Sequence, residues 1–411
     1  MKLKRYPIGF WNYTPLGQLG PEAVKDWADL GMTLALSPQF GPDADPAVLL
    51  PILDACAEKD IGVILNDSRA RWYGASDDPK AYRERFRAAY EQFGKHPAVI
   101  GYHVGDEPME DRQFADAAMA HRIQLEVAPE LTPHLNFLPY WENQEETILK
   151  APTFTDWAKR MAADADLKIL CYDCYVQMNP EEAGTHQYYT NLRKFSEGAD
   201  AAGIMPWTTL LSVGHFRYRV PSEDDFRWQV NTAVASGMKG LLWFFIYAVM
   251  IANYRLSPID EFGERTETFG RLSRVNRHFL RHYGDFFMNA EHRATYHAGK
   301  AYGGYPLFED GRTDPLLLGL ISPQNLPAVL GFFEKDGQRH VAVVNNSVKE
   351  SGQFILRVPK GTKIFERFNW DHTYSALKTA RHYACYQETE TELQGGDWLA
   401  PGQMMVYRIG E

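Results

Sequence analysis

Several things are scarce in this sequence, and each scarcity removes a class of protein. Only four cysteines (Cys56, Cys171, Cys174, Cys385) stand among 411 residues, too few and too irregularly spaced for a disulfide scaffold. Cys171-x-x-Cys174 has the spacing of half a redox or zinc motif, but no second pair or nearby histidine completes it, so packing is the expected role. The longest apolar stretch, residues 240–252, is shorter than the roughly 20 residues a membrane-spanning helix needs. Positive charge is in deficit, 43 Lys and Arg against 53 Asp and Glu for a net charge of −10. That balance argues against a nucleic-acid or anionic-membrane partner. Residues 1–7 contain no apolar core of a secretory signal, which sets the expectation of a cytoplasmic protein unless a signal has been trimmed.

What is present reads as an ordinary globular chain, with 45% hydrophobic and 23% charged residues, long enough for one large barrel and a smaller domain. Aromatics make up 13%, including ten Trp and twenty-two Tyr, which suits sugar-ring stacking and a large core equally. Strand-like runs at 6–13, 32–40, 62–69, 98–104, 133–141, 167–176, 203–213 and 239–249 alternate with helical patterns. Those helices fall at 21–30 (closed by Gly31), 45–59, 78–93, 111–127, 155–165, 186–202, 222–235 and 266–283. Ser222 reads as the cap of the seventh, with Asp225 in its first turn. Eight strand–helix units predict an α/β fold, a (β/α)8 TIM barrel over residues 1–284. The rival doubly wound sheet lacks a Gly-rich phosphate turn after the first strand. From 285 onward the period changes, with strand-like runs at 328–333, 339–345, 354–358, 363–368, 388–393 and 404–409. A hairpin turn at 335–338 joins two of them. Residues 285–411 are therefore expected to form a C-terminal antiparallel β-sandwich-like domain, read as a structural cap.

Chemistry in a parallel barrel gathers at the C-terminal strand ends. Strand four ends Gly105-Asp106-Glu107-Pro108, where proline stops regular pairing. Glu107 is the candidate general acid, and the neighbouring Asp106 would raise its pKa by like-charge repulsion. Asp173 at the end of strand six is the candidate second carboxylate, with Asp67 on strand three in reserve. Glycosidic cleavage needs two such groups, one to protonate the leaving oxygen and one to attack or to activate water. Around them the strand ends offer Trp11, Asn12, Asp67, His103, Asn136, Tyr140, Tyr175, Trp207, His215 and Trp243 as substrate-binding candidates. Aromatic faces would cover the apolar side of a sugar ring, and amides and carboxylates would hold its hydroxyls. A metal-dependent hydrolase is the other enzyme class for such a barrel mouth. Strand one has Asn12 where that class carries His-x-His, and neither metal nor cofactor is expected.

With these residues in view, the sequence resembles the retaining glycoside hydrolases of the large (β/α)8 clan, in which an Asn-Glu pair ends strand four and its Glu is the acid/base. It also resembles an uncharacterised bacterial group of glycoside-hydrolase-like proteins with Asp-Glu-Pro at this place. That group shows Asn-x-x-Pro on strand five (Asn136 to Pro139), Tyr-Asp-x-Tyr on strand six (Tyr172 to Tyr175) and Gly-x-Lys-Gly entering strand eight (Gly237 to Gly240). The resemblance covers residues 6–283 and departs from the clan twice. Asp106 replaces the clan's Asn, and strand seven, Trp207-Thr208-Thr209-Leu210-Leu211, has no carboxylate where the clan's nucleophile stands. Asp173 would then serve instead, or Asp106 and Glu107 would act with a substrate acetamido group, or the barrel would bind sugar without cutting it. The reading is a glycosidase acting on a terminal sugar, with a small carbohydrate as its partner and homo-oligomerisation left open. Loops at 177–186 and 251–264 are expected to wall the pocket.

Overall fold

The computed structural model describes residues 4–179, 181–379 and 384–411. Its first sheet is built from β1 (Ile8–Phe10), β2 (Leu34–Leu36), β3 (Gly62–Leu65), β4 (Val99–Asp106), β5 (His134–Phe137), β6 (Ile169–Asp173), β7 (Met205–Leu211) and β8 (Gly240–Phe244). Neighbours pair in parallel in the order β1-β8-β7-β6-β5-β4-β3-β2. The Thr33 N–H donates to the Ile8 carbonyl at 2.8 Å, joining β2 to β1 and closing the ring. This is the (β/α)8 barrel, and the order excludes a doubly wound sheet. Most strands are shorter than their apolar runs because pairing stops where twisted neighbours diverge, whereas β4 runs past its expected end to Asp106.

The helices are α1 (Ala23–Asp29), α2 (Pro46–Glu58), α3 (Pro79–Ala89), α4 (Asp111–Val127), α5 (Phe154–Ala165), α6 (Glu182–Ala202), α7 (Glu223–Ala235) and α8 (Glu267–Phe279). Their starts follow local chemistry. Asp45 and Asp78 accept backbone N–H groups at the heads of α2 and α3, each followed by proline at the first helical position. Ser222 and Asp225 form the reciprocal capping box of α7. Gly31 adopts φ +77° after α1, the left-handed turn that glycine takes without a Cβ penalty. α6 begins at Glu182, a turn before the expected 186, so the wall anticipated over 177–186 is shorter than its sequence suggested.

The chain divides into two compact units. One comprises Met1–Pro180, Lys194–Val220 and Lys239–Asn276, and contains all eight barrel strands. The other comprises Glu181–Arg193, Pro221–Met238 and Arg277–Glu411, so it takes in α7 and the start of α6. After the short α9 (Asp285–Asn289), the second unit carries β9 (Glu291–Ala298), β10 (Gly319–Ile321), β11 (Ala328–Lys335), β12 (Gln338–Asn345), β13 (Gly352–Pro359), β14 (Ile364–Phe368), β15 (Tyr374–Ala376), β16 (Ala384–Glu388), β17 (Glu392–Leu399) and β18 (Met404–Gly410). Antiparallel sheets β10-β13-β17-β16 and β15-β14-β18-β12-β11-β9 enclose a core including Leu330, Val341, Phe354, Leu356 and Tyr407. The expected 335–338 hairpin joins β11 to β12 with Asp336 and Gly337 both at positive φ. The expected strand at 388–393 is instead a turn. Glu388 ends β16, Glu392 opens β17, and Thr389 N–H donates to the Glu392 carbonyl between them. No helix among the described residues is long and apolar enough to cross a membrane.

Candidate active site

β4, β5 and β6 bring three carboxyl groups together, and a β-bulge makes this happen. His103 pairs with His134, whereas Asp106, three residues on, pairs with Asn136, two residues on. The extra residue on β4 turns Asp106 to the same inner side as His103, which strict alternation would not do. Gly105 stands in the bulge, where a Cβ would lie 2.4 Å from the Trp72 ring. On β6, Cys171 pairs with Asn136, so Asp173 falls one inward position further up.

Asn136 is the hub of the cluster. Its single side-chain nitrogen donates to Asp106 Oδ1 at 3.0 Å and to Asp173 Oδ1 at 2.8 Å. Its backbone carbonyl accepts the Glu107 N–H at 2.9 Å, with Glu107 held at φ +51°. A non-glycine residue in the left-handed region carries local strain, which the surrounding pairing must hold. Glu107 and Tyr175 both lie close enough to Asp173 to enter the balance of its titration.

Burial is the first cause of every pKa shift in this cluster. It raises Asp106, against which the Asn136 hydrogen bond and the Arg71 charge act. Burial and then the charge of Asp106 raise Glu107. Asp173 is pushed well above the usual carboxylate range by burial and by the charges of Glu107 and Asp106. Asp106 raises Glu107, and both raise Asp173, so the group resists carrying three negative charges at once.

The remaining candidates divide between the pocket, the barrel interior and the scaffold. Trp11 donates to Thr209 Oγ1 at 3.3 Å and stacks on Tyr13, which the charges of Asp106, Asp173 and Glu107 all reach. Tyr175 stacks on Phe244 at 4.8 Å, and His215 stacks on Tyr254 at 4.9 Å within the same aromatic wall. Burial lowers His215 to about 4, so it is neutral at physiological pH. One layer deeper, His103 Nδ1 meets His134 Nδ1 at 3.1 Å, with Trp207 packed 6.3 Å from His134. His103 and Trp207 are fully buried there, beneath the carboxyls.

Four candidates lie elsewhere. Asp67 is locked to Arg69, whose Nη2 sits 2.7 Å from Oδ2. Asn12 donates to the Leu36 carbonyl and accepts the Thr14 N–H. Tyr140 donates to Glu145 and lies under Lys194. Trp243 points outward, donating to Asn276 Oδ1 at 3.1 Å. Tyr13, which the end of strand one also offers in sequence, stands beside Trp11, and the site contains residues not selected from sequence: Phe244, Tyr254 and Arg71. Arg71 Nη2 donates to Asn66 Oδ1 at 2.7 Å, and its charge acts on Asp106. An arginine just beyond strand three, at a lip otherwise rich in acids, was the signal available for it. Cys171 and Cys174 are buried free thiols, and Cys171 donates to Asn136 Oδ1 at 3.5 Å. Among the described residues no group of His, Cys, Asp and Glu is arranged to hold a metal ion.

No protein-family model matches the chain, and no curated protein matches it in sequence. Solved structures do match. A family 39 glycoside hydrolase from Bacteroides cellulosilyticus WH2 aligns at 10% identity and TM-score 0.52, covering 98% of this chain and 81% of that one. A glucosidase from Croceicoccus marinus aligns at 11% identity and TM-score 0.50, covering 99% and 95%. A β-galactosidase from Rahnella sp. R3 aligns at 12% identity and TM-score 0.53, covering 72% of this chain and 58% of that one. At such identities the likeness is one of architecture: this chain has the (β/α)8 fold of glycoside hydrolases.

Proposed function

We propose that the chain is a glycoside hydrolase in which Glu107 is the general acid and Asp173 the second carboxylate. The observation that carries this reading is the meeting of Asp106, Glu107 and Asp173 around Asn136 at the C-terminal end of the barrel. A carboxyl kept protonated beside one that can ionise is the pair glycosidic cleavage requires. The substrate's glycosidic oxygen would become the hydrogen-bond partner of Glu107. Glu107 would then pass its proton to that oxygen as the C1–O bond breaks. Asp173, held by Asn136, would have to give up the proton that burial and its acidic neighbours favour before it could face the developing positive charge on the sugar. Arg71 and Asn136 oppose the rise of Asp106, and the charge of Asp106 favours the protonated form of Glu107. The loops after β7 and β8 support a walled pocket and action on a terminal sugar. Gly214 and Arg255 bond each other's backbones, and Asn253 Oδ1 and Nδ2 engage the Phe216 N–H and carbonyl.

The end of β7, Trp207-Thr208-Thr209-Leu210-Leu211, carries no carboxylate to act as nucleophile, which favours a second reading. In that reading Asp173 holds the acid, Asp106 orients a substrate acetamido group, and that group attacks C1. A panel of 4-nitrophenyl glycosides with and without a 2-acetamido group separates the two. Glu107→Gln should lower kcat/KM by at least about a thousandfold on the cleaved member while leaving the melting temperature and sugar binding intact. Wild-type protein that binds sugars but turns over no glycoside would instead make the barrel a carbohydrate-binding module. Release of internal fragments from long polymers would overturn terminal action.

A further inference from the structure

We propose that Arg71 receives the carboxylate of a uronic acid, so that the sugar taken at this barrel mouth is an anionic one. The assignment rests on the hydrolase reading and adds to it the class of sugar. β3 and β4 fix where Arg71 stands. Leu65 pairs with Tyr102, whose hydroxyl donates outward to the Ala89 carbonyl of α3 at 2.9 Å. Asn66, one residue past Leu65, therefore faces the inside of the barrel mouth. Its Oδ1 accepts Arg71 Nη2 at 2.7 Å. Among the described residues that is the only hydrogen bond of the guanidinium, and no carboxylate forms an ion pair with it. Its charge acts on Asp106 and, one layer deeper, on His103 and His134, which face the same interior from β4 and β5.

The loop that carries Arg71 is braced from several sides. Arg85 on α3 donates to the carbonyls of Arg69, Arg71 and Tyr73 at 3.3, 3.0 and 2.6 Å. Trp72 N–H donates to the Val104 carbonyl at 2.9 Å, beside the bulge of β4 that carries Asp106. Asp116 on α4 accepts the N–H groups of Gly74 and Ser76. The guanidinium is thus half-buried and held in place before any ligand arrives, with most of its N–H donors unused by the protein. Drawing a cation partly out of water without a counter-charge costs free energy. A sugar hydroxyl would bond it and leave that charge unanswered, whereas a carboxylate matches the planar fork with two parallel bonds. The same anion would assist the acid, because added negative charge favours the protonated form of Glu107.

The test, on the full chain, sets 4-nitrophenyl glucuronides and galacturonides, in both anomers, against the matching glucosides and galactosides. Wild type should favour one uronide over its neutral partner by at least about a hundredfold in kcat/KM, as expected for a charge-assisted pair of bonds. Arg71→Met should shrink that preference at least about tenfold, through a higher KM for the uronide, and Arg71→Lys should shrink it less. Asn66→Asp sets a carboxylate within reach of Nη2 and should shrink it while the guanidinium stays. Titration calorimetry with the methyl uronides and methyl glycosides repeats the comparison without turnover, and Arg71→Met should bind the uronide at least about tenfold more weakly than wild type. Faster cleavage of the neutral glycosides, or equal losses on both members in Arg71→Met, would overturn the proposal and spare the hydrolase reading. Binding of a methyl uronide that Arg71→Met weakens, with no glycoside turned over, would support the carboxylate site and make the barrel a binding module. Wild type that neither cleaves nor binds a uronide would overturn the proposal.

Discussion

Replacing Asn136 by alanine removes one nitrogen that serves two carboxylates, the exposed Asp106 at 3.0 Å and the half-buried Asp173 at 2.8 Å. A hydrogen bond to a charged group contributes about 1.5–3 kcal/mol, against about 1 kcal/mol for a neutral one. The two bonds share a donor, and the exposed Asp106 can turn to water, so the loss should not exceed one charge-assisted bond, about 1.5–3 kcal/mol. The sign of its pH dependence follows from what Asn136 does now: it lowers the pKa of both Asp106 and Asp173, opposing the burial that raises them. Without it both folded-state values rise further, and a raised carboxylate loses stability as pH climbs from its unfolded pKa, about 3.9, toward its folded one. The variant should therefore lose more stability at pH 8, at most about 1.5–3 kcal/mol, than at pH 4.5, where more of the carboxyls are protonated. Calorimetric melting of wild type and Asn136→Ala across that range measures the difference directly. The acid limb of the activity profile should move to higher pH at the same time. A melting deficit that is the same at both pH values would refute the account of Asn136 as the donor that keeps these acids ionisable.

Two further outcomes are expected. Asp173→Asn should raise the melting temperature by a few degrees at pH 7–8, because it removes a carboxyl whose pKa burial and two neighbouring acids push well upward. The gain should vanish near pH 4, and a stabilisation independent of pH would contradict the mechanism. Gly101→Ala should prevent soluble expression, since the new Cβ would sit 1.8 Å from the Thr132 carbonyl oxygen and force β4 away from the chain entering β5. A well-folded Gly101→Ala protein, judged by circular dichroism and melting, would show that the β4 register described above is wrong.

The barrel was legible because its signal is repeated. Eight apolar runs separated by amphipathic helices, several opened by Asp-Pro or Ser-x-x-Asp caps, agree with one another, so an error in any single boundary leaves the architecture unchanged. The small strands of the second unit were less legible. β9, β10 and β15 are short or mixed in polarity, and β16 and β17 were merged across their turn, because a half-exposed strand is defined by its partners. At the site, the presence of Asp106, Glu107, Asn136 and Asp173 at strand ends could be read from position in the chain. Their meeting could not. It depends on one extra residue in β4, which reverses the side to which Asp106 points, and a bulge leaves no period in a sequence.

The same limit explains why Asp67, Asn12, Tyr140 and Trp243 were chosen and lie elsewhere. Each is close in sequence to a strand end, but whether a side chain enters the pocket or the scaffold depends on strand twist and on local partners. Arg69 takes Asp67, Asn276 takes Trp243, and Glu145 takes Tyr140. The amino-acid order by itself determined the number of strand–helix units, their direction and the end of the barrel at which acids and aromatics collect, because local propensity and hydrophobic period are properties of neighbouring residues. Only the tertiary structure decided which acids meet around Asn136 and which aromatics form the pocket wall, because each of these depends on distances between residues far apart in the chain.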